Sequence, residues 1–260
     1  MGARILAVIP ARYDSSRLPG KPLVEIGGRP MVQWVYEAAA RVPSVERVVV
    51  ATDDERVVRA VERFGGEVVL TSPAHPSGSD RVAEVARRLG PEVVVNLQGD
   101  EPLIEPHVVE DALRPLLEEP EVAMSTLCTR IHDEAAWRDP NVVKVVRADN
   151  GDALYFSRAP IPHPREARPL EALPVFKHLG LYCYRAPFLE RITELPPSPL
   201  ERIERLEQLR VLEAGYRIRV VETAHDTVGV DTPEDLERVR RLVVGSDAGS
   251  GGSTGGEVRP

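Results

Sequence analysis

Cysteine is scarce. Cys128 and Cys183 are the two in 260 residues, far apart and each set among apolar, strand-forming neighbours. That excludes a disulfide framework and a cysteine-built zinc site, and both read as core thiols. Long apolar runs are also missing: no stretch approaches the length of a membrane span, and the N-terminus lacks a signal-peptide pattern. A cytoplasmic protein is expected. Basic residues are outnumbered, 33 against 41 acidic, for a formal charge of -8. Broad adhesion to nucleic acid or anionic membrane is therefore disfavoured, although small anions can still be caught locally. The six histidines show no H-x-x-x-H or H-E-x-x-H spacing, so a metal is expected on carboxylates rather than imidazoles.

What is present is the alternation of an α/β protein. Hydrophobic residues make up 42% and charged residues 28%, an ordinary soluble composition. Short β-branched runs at 4–10, 45–52, 67–70 and 93–97 interleave with helical patterns near 30–42, 54–64 and 79–89. This predicts a mostly parallel central sheet flanked by helices. RVVVAT and EVVVNL are near-continuously apolar, as burial on both faces requires. After residue 120 the rhythm changes: strands at 122–130, 142–147, 153–157 and 178–185 follow with little helix between them, predicting an antiparallel extension. Residues 1–244 are expected to form one domain with a sub-lobe at roughly 122–200. The proline-rich segment 161–174 predicts a long surface loop. Ser198-Pro199-Leu200-Glu201 carries the signature of a helix start, and the helix should run to about Ala214. Thr232-Pro233 opens a last helix ending near Val244, and 245–260 is Gly/Ser-rich and expected to be a disordered tail.

Three segments carry candidate chemistry. In AVIPARYDSSRLPGKPL an apolar strand runs into a loop holding Arg12, Arg17 and Lys21, and cations at a strand's carboxyl end suit a polyanion such as a nucleoside triphosphate. The loop lacks the Walker spacing, since Lys21 is followed by Pro22 and no earlier glycine stands in place. Asn96 to Pro102, NLQGDEP, ends a strand with an amide, a glycine and two acids. Asp100 there could hold Mg²⁺ against phosphate oxygens, or the segment could be an ordinary turn. Asp231 precedes the last helix, where an acid is also routine as favourable charge at a helix start. Ser77-Gly78-Ser79-Asp80-Arg81 opens a helix, whose unpaired N–H groups could meet a base edge or phosphate, or Ser79 could simply cap it.

Taken together, IPARYDSSRLPGKPL, ATDD, SGSDR, NLQGDEP, NVVKVV, ALYFSRAPIP, HLGLYCYR, SPLERIERLEQLRVLEAG and GVDTPEDLERV resemble the 3-deoxy-D-manno-octulosonate (Kdo) cytidylyltransferases, or CMP-Kdo synthetases, over residues 4–243. The resemblance implies a Rossmann-like nucleotidyltransferase fold with a dimerisation extension and a homodimer. It also implies CTP and Kdo as substrates, CMP-Kdo and pyrophosphate as products, Mg²⁺ as cofactor and a place in lipopolysaccharide biosynthesis. By motif, Arg12 and Lys21 would clamp the triphosphate. Ala11, Ser77, Gly78, Ser79, Arg81, Gln98 and Gly99 would complete the CTP site, and Asp100 and Asp231 would hold metal. Gln98, Arg158, His178, Tyr182, Glu207 and Gln208 would meet the sugar acid, with Lys21, Asp100, Asp231 and Arg12 catalytic. By residue type alone His178 and Tyr182 suit a core equally well, and Glu204, Glu207 and Gln208 should share one helix face, which could instead be solvated. The loop between Pro160 and Phe176 departs from the family pattern. A cytidylyltransferase for 8-amino-Kdo, sialic or pseudaminic acid, or a catalytically silent nucleotide-sugar-binding module, are the competing readings.

Overall fold

The computed structural model describes residues 3–14 and 18–249, with the side-chain surroundings of 244–249 outside the description. Arg17 and the tail from 250 to 260 therefore lie outside the described residues. The first half runs β1 (Ile5–Pro10), β2 (Glu25–Ile26), β3 (Arg29–Pro30), α1 (Met31–Ala40), β4 (Arg47–Thr52), α2 (Glu55–Arg63), β5 (Val68–Leu70), α3 (Gly78–Leu89), β6 (Val93–Asn96) and α4 (Pro106–Glu118). The second half adds β7 (Met124–Arg130), α5 (Glu134–Arg138), β8 (Lys144–Arg147), β9 (Ala153–Ser157), β10 (Phe176–Arg185), α6 (Ala186–Glu194), α7 (Pro199–Glu204), α8 (Gln208–Glu213), β11 (Arg219–Glu222) and α9 (Pro233–Gly249).

The main sheet has the order β11-β7-β10-β6-β1-β4-β5, and every pairing on that path is parallel except the two made by β10. Ala7, Val8 and Ile9 of β1 are each 0% exposed, so both faces are covered. Ile5, Ala7 and Ile9 pack with α1, α2 and α4, while Leu6 and Val8 pack with α3, α6 and α8. A third cluster seats Val230, Leu236, Val239 and Val243 against Ile26 and Met31, docking α9 on the β2–β3 hairpin.

The antiparallel extension is continuous with this sheet. Strand β10 pairs with β7 along nearly its whole length. On its other edge Tyr182–Arg185 pair with β6, but Phe176 and Lys177 pair with β8, which in turn carries β9. The sheet thus forks beside residues 178–181, and the β10–β7 register shifts between Leu179 and Tyr182. Between the prongs the sheet opens.

Two helices differ from expectation. The helix starting at Ser198 has the expected capping box with Glu201, but it stops at Glu204, and Arg205 adopts φ 56° before α8 begins. Nothing in the local sequence breaks it. The carbonyl of Glu204 instead accepts from Arg158 Nε at 2.7 Å, and its carboxylate accepts from Ser157 Oγ at 2.6 Å and Arg158 N at 2.9 Å. Tertiary hydrogen bonds outbid helix continuation, so Glu204, Glu207 and Gln208 do not share one face. Helix α9 runs to Gly249 rather than ending near Val244. Between the strands expected to follow one another with little helix, the one α-helix is the five-residue α5.

Candidate active site

The parallel strands β1, β4 and β6 point their carboxyl ends to one edge, where open α/β sheets bind ligands. The loop after β1 turns back there: Gly20, at φ 68°, donates to Tyr13 O at 3.2 Å, and the 3₁₀ turn Lys21–Leu23 follows. This presents Lys21, whose Nζ donates to Asp100 Oδ2 at 2.6 Å and Asp231 Oδ1 at 2.8 Å. Residues 79 and 210 positions apart are thereby joined through one ammonium. Burial alone would push the Lys21 pKa down, but the two carboxylates outweigh it and hold it above its ordinary value.

Asp100 reaches this point because β6 ends in a tight approach to β1. A Cβ on Gly99 would stand 3.1 Å from Pro10 O, so a side chain there would force the strand ends apart. Val230 N donates to Asp100 O at 2.9 Å, which fastens the Asp231 segment alongside. Two carboxylates held about one cation form an oxygen-only donor set of the kind Mg²⁺ takes, with water and phosphate completing its shell. Asp100 and Asp231 therefore fit such an ion.

Beside this triad lies a cavity of about 690 Å³ running into the fork of the sheet. Its walls include Ser77, Gly78, Ser79, Asp100 and Asp231, and, toward the fork, Arg158, His178, Tyr182, Glu207, Gln208 and Gln98, which lies against Gly180. Most of the residues expected from the sequence are thus brought together. Arg12 stands behind the wall: Nη2 donates to the carbonyls of His75 and, at 3.4 Å, Ser77, while its buried Nε has no hydrogen-bond partner. It ties the loop after β1 to the segment before α3.

Ser77, not Ser79, caps α3, accepting from Asp80 N at 3.3 Å. Ser79 is left to donate to Glu207 Oε2 at 2.9 Å across the cavity mouth. Burial raises the Glu207 pKa, and that hydrogen bond opposes the rise.

Three expected contacts sit differently. Arg81 is 0% exposed, with Nη2 on Asp53 Oδ2 at 2.6 Å and Nη1 on Thr71 Oγ1, so it braces α3 against β4 and β5 and does not line the cavity. Ala11 is buried and its N–H is spent on Ala51 O at 2.8 Å. Arg158 does line the cavity, but its guanidinium donates to main-chain carbonyls of Glu204 at 2.7 Å, Pro140 at 2.9 Å and Arg205 at 3.5 Å. Its bidentate face is committed to shaping the wall.

At the fork, His178 is buried against Phe156 and Tyr182, with ring centroids 4.9 and 5.5 Å away. Burial pushes its pKa down to about 3, so it is neutral. Thr126 Oγ1 lies 2.9 Å from Nε2 and also 2.8 Å from Leu181 O. With its one proton given to a carbonyl, the hydroxyl accepts Nε2–H, which makes Nδ1 the acceptor nitrogen. Burial likewise holds Tyr182 well above its ordinary pKa.

The sequence reading missed Lys177, Asp226 and Glu101. Lys177 Nζ donates to Asp226 Oδ1 at 2.6 Å and Thr227 O at 3.2 Å on the cavity wall. Glu101 is 8% exposed, accepts from Thr227 Oγ1 at 3.3 Å, and has one oxygen unpartnered. Burial, reinforced by the Asp100 charge, lifts its pKa to about 7. The adjacency of Lys177 to His178, and of Glu101 to Asp100, was the available signal. Among the described residues no helix is long and apolar enough to cross a membrane.

Comparison with known proteins places the chain in a family. The family model "Cytidylyltransferase" matches residues 6–218. The 3-deoxy-manno-octulosonate cytidylyltransferase of Syntrophotalea carbinolica is 56% identical over 241 residues, covering 90% of this chain and 96% of its own. That of Geobacter sulfurreducens is 54% identical, covering 90% and 97%. A solved structure of CMP:2-keto-3-deoxy-manno-octonic acid synthetase complexed with CTP superposes with TM-score 0.89 at 48% identity, covering 94% of this chain and 100% of its own. The 4-diphosphocytidyl-2C-methyl-D-erythritol synthase of Anaerococcus prevotii, at 14% identity and TM-score 0.62, shares the fold alone.

Proposed function

The chain belongs to the cytidylyltransferase family and, within it, to the 3-deoxy-manno-octulosonate cytidylyltransferases, and from that premise we propose that it transfers CMP from CTP to the anomeric hydroxyl of Kdo, releasing pyrophosphate. CMP-Kdo made this way would serve lipopolysaccharide biosynthesis. The observation that carries the reading is the convergence of Lys21, Asp100 and Asp231 at the sheet's carboxyl edge, opening onto a cavity large enough for a nucleotide and a sugar acid.

The chemistry asks chiefly for positioning and charge neutralisation, because a hydroxyl oxygen displaces pyrophosphate at the α-phosphorus and no covalent enzyme intermediate is needed. Lys21 would bind the triphosphate, and Arg12 would hold the loop after β1 against the segment before α3. Gly99 lets the end of β6 come up against Pro10, which sets Asp100 beside Lys21. Asp100 and Asp231 would hold Mg²⁺, which when bound stabilises charge on the phosphate oxygens. Since one ammonium now joins those carboxylates, arrival of the triphosphate and release of the aspartates are coupled through Lys21.

In the fork, Nδ1 of neutral His178, the Tyr182 hydroxyl, Gln98 and Gln208 supply acceptors and donors for sugar hydroxyls, and Glu207 closes the mouth with Ser79. Arg158 acts as a positioning residue for that wall. The working form is taken to be a homodimer. Strand β9, which pairs with β8 alone among the strands, carries Leu154 at 61% exposure and supports an outer contact.

The test is pyrophosphate release from CTP and Mg²⁺ with Kdo, 8-amino-Kdo or N-acetylneuraminate, each with and without EDTA. Kdo-dependent release abolished by EDTA is expected. Release with another acid alone would overturn the sugar assignment, and silence with all three would overturn the enzyme reading.

A further inference from the structure

Beyond the triad, the same two chain segments meet again. The stretch 100–105 runs beside 225–230 in opposite directions and is joined first by Val230 N to Asp100 O at 2.9 Å, then by Thr227 Oγ1 to Glu101 Oε1 at 3.3 Å. At the next step stand Glu105, His107 and His225. His107 Nδ1 lies 3.1 Å from Glu105 Oε2, and His225 Nδ1 lies 3.8 Å from Glu105 Oε1. The two imidazoles meet edge to face with centroids 5.8 Å apart. One ligand atom from each of the three residues falls within 4.8 Å of the other two.

We propose that Glu105, His107 and His225 form a binding site for a zinc-class divalent transition ion, separate from the Asp100–Asp231 pair, which clips the segment carrying one catalytic aspartate to the segment carrying the other. Two imidazoles and one carboxylate are a donor set that zinc and its neighbours favour and that Mg²⁺ does not. Tetrahedral bonding at roughly 2.0–2.1 Å needs ligand atoms roughly 3.4 Å apart. One pair is already that close, and the half-exposed Glu105 and His107 side chains have room to complete the closure. Glu105 is also free for the task. Although it stands at the N-cap position of α4, its side chain makes no capping hydrogen bond. Sequence spacing could not reveal the site, because His107 and His225 are far apart in the chain and only the folded ladder brings them together.

The experiment uses the full chain, stripped of metal and without nucleotide, titrated with Co²⁺ while visible absorption is followed, and with Zn²⁺ while Tm is followed. Wild type and Asp100→Asn should both develop cobalt absorption and gain Tm with Zn²⁺. His107→Ala, His225→Ala and Glu105→Gln should each weaken Co²⁺ by about tenfold or more, the scale on which even supporting groups of a metal site act. Unlike the Kdo assay, this readout does not depend on turnover, so it stands or falls apart from the catalytic reading. Binding that survives both histidine variants but vanishes in Asp100→Asn would overturn the proposal by assigning the ion to the aspartates, as would a wild type that shows no cobalt absorption.

Discussion

The two ends of the cavity are built by different means. At the nucleotide end, the functional side chains sit on connections at one edge of the sheet: Lys21 in the loop after β1, Asp100 in the turn after β6, Asp231 in the segment between β11 and α9. At the sugar end, the wall is assembled from β10, the segments flanking the β8–β9 pair and the break between α7 and α8, and its shape rests on main-chain carbonyls turned toward Arg158. The first arrangement gathers charge on connections that meet at one sheet edge. The second places shape through long-range hydrogen bonds, so changes at the two ends should fail in different ways.

The largest expected effect is at the nucleotide end. Asp100→Asn should lower kcat about a thousandfold with KM for CTP little changed, because the lost charge acts mainly on the transition state. Near-normal turnover in steady-state assays would break the assignment of Asp100. Arg81→Met tests a residue whose sequence position suggested nucleotide and whose packing suggests support. Removing one partner of a buried pair costs about 3 kcal/mol, so urea unfolding should shift strongly while KM for CTP holds. A raised KM with unchanged stability would return Arg81 to the nucleotide site.

At the sugar end, His178 gives a pH signature. The unfolded imidazole takes a proton near pH 6.5, whereas the folded one resists until about 3. The unfolded state therefore binds more protons between those values, and stability falls as pH falls through that window. Between pH 7 and pH 5 the loss from this group is about 2 kcal/mol, and His178→Phe should flatten the dependence by that amount in chemical denaturation. An unchanged slope would mean that His178 is solvated. The smallest effect is expected for Glu204→Gln, which weakens the brace on Ser157 and Arg158. KM for Kdo should rise about tenfold, the worth of one charge-assisted hydrogen bond, with KM for CTP unmoved. Equal rises in both constants would erase the distinction between the two ends.

This contrast also explains what could be read in advance. The β-branched runs of β1, β4 and β6 needed no tertiary information, since burial on both faces dictates them, and their carboxyl ends carried Lys21 and Asp100. Asp231 was legible through the family resemblance, since by itself an acid before a helix is routine, and the joining of the three through one ammonium was not legible. Arg81 was misplaced because a cation at a helix start says nothing about which way the guanidinium turns, and here Asp53 and Thr71 take it inward. The α7–α8 break was invisible because Glu204 and Arg205 carry no helix-breaking chemistry; a carbonyl drawn off by Arg158 ends the helix. Lys177 was signalled only by its neighbour His178, and Asp226 went unseen because it means nothing until β10 is laid beside the loop after β11.

The fork in the sheet limits how such a site can change over evolutionary time. A pocket rimmed by loops can be widened by inserting residues, but the opening beside residues 178–181 is bounded by strand pairing, β6 on one prong and β8 on the other. Inserting a residue into the paired stretches that bound it, Phe176–Lys177 or Tyr182–Arg185, would reverse the facing of every side chain beyond it. A lineage moving from one acidic sugar to another would therefore have to exchange side chains at fixed backbone positions, and relatives with different sugars should differ at this end by substitution rather than by length.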